Sequence, residues 1–127
     1  MDRQVKMGLI GCGGIAGRHI QWLLRKSECE IAAVCDIADE AVQKRIEAIR
    51  ELRPDAAVAG MSAYEELVQR PELDAVAVLL PHALHYPAIR AALEAGKHVL
   101  VEKPMVTSVA HARELIALAE AHDKLIG

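Results

Sequence analysis

Apolar runs of strand length alternate along this chain with segments whose apolar positions recur at helical spacing. The first run covers residues 5–10 and closes at Gly11. The second covers 31–35 and closes at Asp36. A short third run covers 56–59, a fourth covers 75–80, and a fifth, rich in β-branched residues, covers 98–101. The fourth is apolar at every position, the pattern of a strand buried on both faces, as a parallel sheet requires. Between the runs lie helical stripes: Ala16, Ile20, Leu23 and Leu24; Val42, Ile46, Ile49 and Leu52; Ala88, Ile89, Ala92 and Leu93; Val109, Ala112, Ile116 and Ala119. Ser62 and Glu65 have the spacing of a capping box that opens a short helix toward Val68. Gly96 stands where a helix C-terminal cap belongs, and Thr107 or Ser108 can cap the last helix. The alternation predicts β-α-β-α-β-α-β-α-β-α, hence a doubly wound α/β fold with parallel strands and right-handed crossovers, layered α/β/α. Residues 125–127 read as the opening of a sixth strand.

Composition narrows the function classes. The chain has 127 residues, the size of one domain, and its 53% apolar and 26% charged residues exclude a disordered or fibrous chain. The formal net charge of −3 argues against a nucleic-acid binder, and the absence of Phe beside one Trp and two Tyr removes the stacking platform that single strands need. No apolar run approaches the roughly 20 residues of a membrane span. Cys12, Cys29 and Cys35 form no Cys-x-x-Cys pair, and the first residues do not form a signal sequence. Reduced thiols and a cytoplasmic location are therefore expected.

The chemistry concentrates at the end of the first run. Gly11-Cys12-Gly13-Gly14-Ile15-Ala16 follows a strand and opens a helix, the context in which Gly-x-Gly-x-x-Gly/Ala binds a dinucleotide. Gly11 permits the tight turn, Gly13 lets backbone approach a pyrophosphate, and the small Ala16 lets helix pack on strand. Gly14 and Ile15 lie at the helix N-terminus, whose free N–H groups and positive dipole end suit phosphate. The competing reading is a glycine-rich turn that binds nothing. Asp36, 20 residues after Ala16 at the end of the second run, can accept hydrogen bonds from an adenine ribose and would repel a 2′-phosphate. No Arg follows it directly: Ile37 and Ala38 come next, and Lys44 and Arg45 lie further on. The expected cofactor is therefore NAD in preference to NADP, in a Rossmann fold. The alternative role for Asp36 is a helix cap. Cys12 stands at a helix N-terminus, where a thiolate is stabilised; a redox-sensing role competes there with that of a small residue filling the turn.

These motifs, together with Pro81-x-x-x-His85 and Ala95-Gly96-Lys97-His98-Val99-x-x-Glu102-Lys103-Pro104, resemble the Gfo/Idh/MocA family of sugar and inositol oxidoreductases over nearly the whole chain. The resemblance implies that Lys103 reaches the junction of nicotinamide and substrate and stabilises charge on a substrate hydroxyl as hydride leaves. It implies that Glu102 contacts the nicotinamide ribose or orients Lys103, and that His85 lies on the nicotinamide side of the cleft, so that Lys103 and His85 are the catalytic candidates this chain offers as a general base. Pro81 and His82 would border the cofactor, although the family usually has Asn or Thr where His82 stands. His82 and His85 also have the spacing of a metal pair on one helix face, but no third ligand follows at a sensible interval, so no metal is expected.

Family members continue into a second domain that makes the substrate pocket. The expectation is therefore a cofactor-binding domain over residues 1–127, without that second domain. It would bind a dinucleotide and act on a small polyol or sugar only when completed. Two other readings compete: a non-catalytic dinucleotide module, such as a redox sensor or regulatory subunit, and an interaction domain that has lost its ligand. Apolar surface left where the second domain docks would favour self-association, which puts a homo-oligomer among the expected states.

Overall fold

The computed structural model describes residues 4–101, 106 and 108–127. Its elements run β1 (Val5–Ile10), α1 (Gly14–Leu24), β2 (Cys29–Cys35), α2 (Asp39–Leu52), β3 (Ala59–Met61), α3 (Tyr64–Val68), β4 (Ala75–Val78), α4 (His85–Glu94), β5 (His98–Val101) and α5 (Val109–Ala121). A 3₁₀ turn, His82–Leu84, leads into α4. The strands form one parallel sheet in the order β3-β2-β1-β4-β5. Residues 125–127 add to the β5 edge as expected: Ile126 bridges Val99 in parallel, and Gly127 donates to Val99 O at 2.7 Å.

The two-residue period of the strands divides the core between the two faces of the sheet. Met7 and Leu9 of β1, with Ala75 and Ala77 of β4, meet Ile20 and Leu23 of α1 and Val42, Ile46 and Ile49 of α2. Ile10, Val76 and Val78 point the other way, toward Leu67 of α3, Ile89 and Leu93 of α4 and Leu115 of α5. Each fully buried Leu or Ile contributes roughly 2 kcal/mol through apolar area removed from water. The order of the strands reverses direction between β1 and β4, because β1 feeds β2 on one side and β4 feeds β5 on the other. That switch point sits at the carboxyl edge of the sheet, where such folds hold their ligands.

Three local expectations change. The third strand lies at Ala59–Met61, three residues later than the apolar run suggests, because Ala59, Gly60 and Met61 are the residues that pair with Ala33, Val34 and Cys35. The capping box does not form. Ala63 takes the N-cap position of α3 with no side-chain bond, which leaves Ser62 one residue upstream. In α5 the buried residues are Leu115 and Ala119, while Val109 and Ile116 are 69% and 50% exposed. Apolar residues occur around most of that helix, so packing against α4 rather than periodicity selects the inner face. Ser108 does cap α5, its Oγ accepting from the His111 N–H at 3.2 Å; Thr107 lies outside the described residues.

Candidate dinucleotide site

Three strand ends build the site: β1 with the glycine turn, β2 with Asp36, and β4 with Pro81 to His85. Gly11 has φ +102°, and a Cβ there would stand 2.7 Å from Leu79 O. Both the left-handed backbone and the close approach of β4 therefore require glycine. Gly13 is the N-cap of α1 and makes no side-chain cap. Space above Gly13 and Gly14 is open, since a Cβ on either would meet nothing within 4 Å. Ala16 is fully buried against the sheet. The turn thus presents the start of a helix, uncapped by any side chain, to an open cleft, the arrangement that accepts an anionic group.

Asp36 stands beside the turn at the end of β2. Its Oδ2 accepts from the Cys12 N–H at 2.8 Å, and its Oδ1 accepts from the Ala38 N–H at 2.9 Å. A carboxylate has about four acceptor positions, so two bonds leave capacity for ribose hydroxyls. The carboxylate supports the start of α2 and fixes the glycine turn as well. Ile37, the next residue, is 95% exposed and carries no charge to meet a 2′-phosphate. Ser62, displaced from its expected capping role, lines the cleft beside Asp36 and Gln43.

Cys12 departs from one of its two readings. Its thiol is buried and donates to Cys35 O at 3.4 Å. Burial, with the nearby Asp36 charge, pushes its pKa up to about 11. Burial likewise pushes Cys35 up to about 12. Desolvation outweighs the helix terminus here, so Cys12 fills the turn and is not a stabilised thiolate.

At the other end of the cleft, Ile15, Leu79, Leu80, Pro81, His82 and His85 line a cavity of about 360 Å³. A second hollow, of about 250 Å³, joins Pro81 to Gly11 and Asp36. Leu84 N–H donates to Pro81 O at 2.9 Å and holds the 3₁₀ turn. His85 is 1% exposed, and its Nε2–H donates to Leu80 O at 2.8 Å. The His82 and His85 rings meet edge to face, 5.3 Å apart. Among the described residues, no three His, Cys, Asp or Glu side chains cluster as a metal site would require. β5 ends at Val101, opposite Val78 in the parallel register. Glu102, Lys103 and Pro104 lie outside the described residues. A larger cavity, about 460 Å³, lies at the opposite edge of the sheet, away from all of these groups.

Sequence reasoning missed Arg45. It sits in the second turn of α2, yet its Nε donates to Cys12 O at 3.1 Å and its Nη2 to Gly13 O at 2.8 Å. The one available signal was Gly17: a Cβ there would come within 2.8 Å of Arg45 Nη1. That signal cannot be read without the fold.

A parallel α/β sheet with a glycine turn and a carboxylate at its switch point defines a dinucleotide-binding domain. Residues 5–127 match the model of the family described as "Oxidoreductase family, NAD-binding Rossmann fold", and the chain belongs to this Gfo/Idh/MocA family. Among curated relatives it is 37% identical, over 127 residues, to the dTDP-3,4-didehydro-2,6-dideoxy-alpha-D-glucose 3-reductase of Saccharopolyspora spinosa; the match covers 99% of this chain and 36% of the relative. Among solved structures it resembles KijD10, a 3-ketoreductase from Actinomadura kijaniata in complex with NADP and TDP-benzene, with TM-score 0.88, 32% identity and coverage of 98% and 36%. It also resembles the WlbA dehydrogenase of Chromobacterium violaceum in complex with NADH and UDP-GlcNAcA, with TM-score 0.86, 30% identity and coverage of 100% and 36%. The chain thus spans about a third of the length of these relatives, and corresponds to their cofactor-binding part. One of the two solved relatives holds NADP and the other NADH, so cofactor binding is common to them while the choice between the two forms is not. No helix among the described residues is long and apolar enough to cross a membrane.

Proposed function

We propose that this chain binds NAD in preference to NADP and serves hydride transfer at a ring alcohol or ketone of a sugar-type substrate, in the relatives' manner a nucleotide-linked sugar. The observation that carries the cofactor choice is Asp36. Its carboxylate faces the cleft next to the uncharged, exposed Ile37, a setting that accepts ribose hydroxyls and repels a 2′-phosphate.

The residues divide the work along the cleft. Asp36 takes the adenine ribose. Gly13, Gly14 and Ile15 offer backbone N–H groups to the pyrophosphate, with Gly11 and Ala16 giving the turn its shape. Pro81 and His82 border the nicotinamide end. Bound there, the nicotinamide ring supplies the hydride acceptor or donor. His85 is buried with Nε2 committed to Leu80 O, so its part is to hold the Pro81 turn in place beside the reacting centre. Lys103 is the group that would hold the substrate oxygen and stabilise charge developing on it, with Glu102 orienting Lys103 or meeting the nicotinamide ribose. Substrate contacts beyond these come from the part of the relatives that this chain does not span.

Isothermal titration of the purified chain with NADH and with NADPH tests the reading. Tighter binding of NADH by tenfold or more is expected. Equal or tighter binding of NADPH overturns the cofactor choice, and no binding of either overturns the dinucleotide reading.

A further inference from the structure

We propose that Arg45 is the positioning residue of the phosphate-binding turn: its guanidinium straps the carbonyls of Cys12 and Gly13 and so fixes the direction of the N–H groups that follow. The inference rests on the dinucleotide reading above and names a residue through which that site is set.

Three contacts define the strap. Arg45 Nε donates to Cys12 O at 3.1 Å and Nη2 to Gly13 O at 2.8 Å, across 33 and 32 residues of sequence. Nη1 lies against the bare backbone of Gly17 in the first turns of α1, where a Cβ would leave it only 2.8 Å. The planar fork therefore spans two successive carbonyls of the turn while its third nitrogen crosses α1 at Gly17, where no side chain stands in the way. A lysine could not do this, since its ammonium is a point donor on a flexible stem.

Asp36 completes the grip. Its Oδ2 holds the Cys12 N–H while Arg45 holds the Cys12 carbonyl. One residue of the turn is thus fixed at both backbone groups by side chains of opposite charge. With the Cys12 and Gly13 carbonyls drawn toward α2, the peptide planes that carry the Gly13 and Gly14 N–H groups lose their freedom to rotate. A site organised before the ligand arrives avoids the ordering cost at binding. The two grips have different consequences: Asp36 also faces the ribose, so it sets selectivity, whereas Arg45 is spent on backbone carbonyls shared by every dinucleotide.

Arg45→Met and Gly17→Ala test this, with Arg45→Lys as the conservative variant. Arg45→Met is expected to weaken NADH and NADPH by the same factor, about tenfold for two charge-assisted bonds, and to leave their ratio unchanged. In the free protein, amide hydrogen exchange at residues 13–15 is expected to speed up while exchange in β1 and β4 stays slow. Gly17→Ala, which keeps the charge and displaces the fork, should act in the same direction, and Arg45→Lys should recover only part of the loss. Wild-type affinity and wild-type exchange in Arg45→Met overturn the strap. So does a loss confined to NADPH, which would make Arg45 a 2′-phosphate contact, and so does full recovery by Lys, which would reduce the role to charge. If the wild-type chain binds neither nucleotide but exchange still accelerates in Arg45→Met, the dinucleotide reading falls and the strap is supported.

Discussion

The two edges of the sheet use charged side chains in opposite ways. At the amino edge, Lys97 is buried and its Nζ donates to Arg70 O and Leu73 O at 2.8 and 2.9 Å. Burial depresses its pKa. Arg53 donates to the carbonyls of Leu24, Lys26 and Cys29 and so finishes the end of α1. Asp74 accepts the Lys6 N–H at 2.9 Å. These charges serve backbone groups and close that edge. At the carboxyl edge, α1 starts without a side-chain cap, the space above Gly13 and Gly14 is open, and Asp36 keeps acceptor positions toward the cleft. The lesson is that a charge on a sheet edge marks a ligand site only when its hydrogen-bonding capacity exceeds what the local backbone consumes. Cavity size misleads here, because the 460 Å³ hollow belongs to the closed edge.

Substitutions at the two edges should separate stability from binding. The largest effect is expected for Gly11→Ala. Its φ of +102° and the 2.7 Å approach to Leu79 O combine backbone strain with overpacking, for about 3 kcal/mol of lost stability, and the dinucleotide site should be lost with the turn. Thermal unfolding and titration together would show this; a variant with wild-type Tm would break the claim that this turn needs glycine.

Lys97→Met comes next. It takes the ammonium donor from the Leu73 carbonyl and from the Arg70 carbonyl, which keeps only the Leu73 N–H at 3.3 Å, a loss of about 2 kcal/mol. Dinucleotide affinity should stay as it is, measured well below the lowered Tm. A change in affinity would show that the two edges are coupled.

Asp36→Asn keeps the shape and one acceptor oxygen but removes the charge. Affinity for NADH should fall and that for NADPH rise, changing their ratio by about tenfold, or about 1.4 kcal/mol. Stability should change less than in Lys97→Met. A ratio that stays constant would remove Asp36 from selectivity.

The smallest effect concerns pH. Cys12 and Cys35 are held protonated in the fold, with pKa values raised from 9.0 to about 11 and about 12. A group whose folded pKa lies above its unfolded value stabilises the fold fully below the unfolded pKa and loses that contribution as pH rises toward the folded one. Denaturant midpoints should therefore decline from about pH 9 upward. At pH 8 a thiol reagent should label the half-buried Cys29 before Cys12 or Cys35; prompt labelling of Cys12 would contradict its burial.

Much of this architecture was legible in the chain. The fully apolar run at 75–80 announced a strand covered on both faces, and the glycine motif with Asp36 announced a tight turn and an acid at the switch point. Those signals are local: a two-residue period, a strand end, a residue type that a tight turn demands. Weaker local signals failed. The apolar run at 56–59 is too short to fix its own register, and pairing with Ala33, Val34 and Cys35 moved the strand to Ala59–Met61. The spacing of Ser62 and Glu65 fitted a cap, but the helix began one residue later and left Ser62 for the cleft.

The sequence by itself determined the order of elements, the parallel class of sheet, the position of the glycine turn and the acid beside it, because each follows from backbone sterics and side-chain period over a few residues. Only the tertiary structure decided which face of α5 is buried, that the Cys12 thiol is buried, and that Arg45 reaches back over Gly17 to hold Cys12 and Gly13. Those outcomes depend on atoms brought together from distant parts of the chain. Burial, desolvation and hydrogen bonds across more than 30 residues of sequence acquire their values only once the sheet and its two helical layers have assembled.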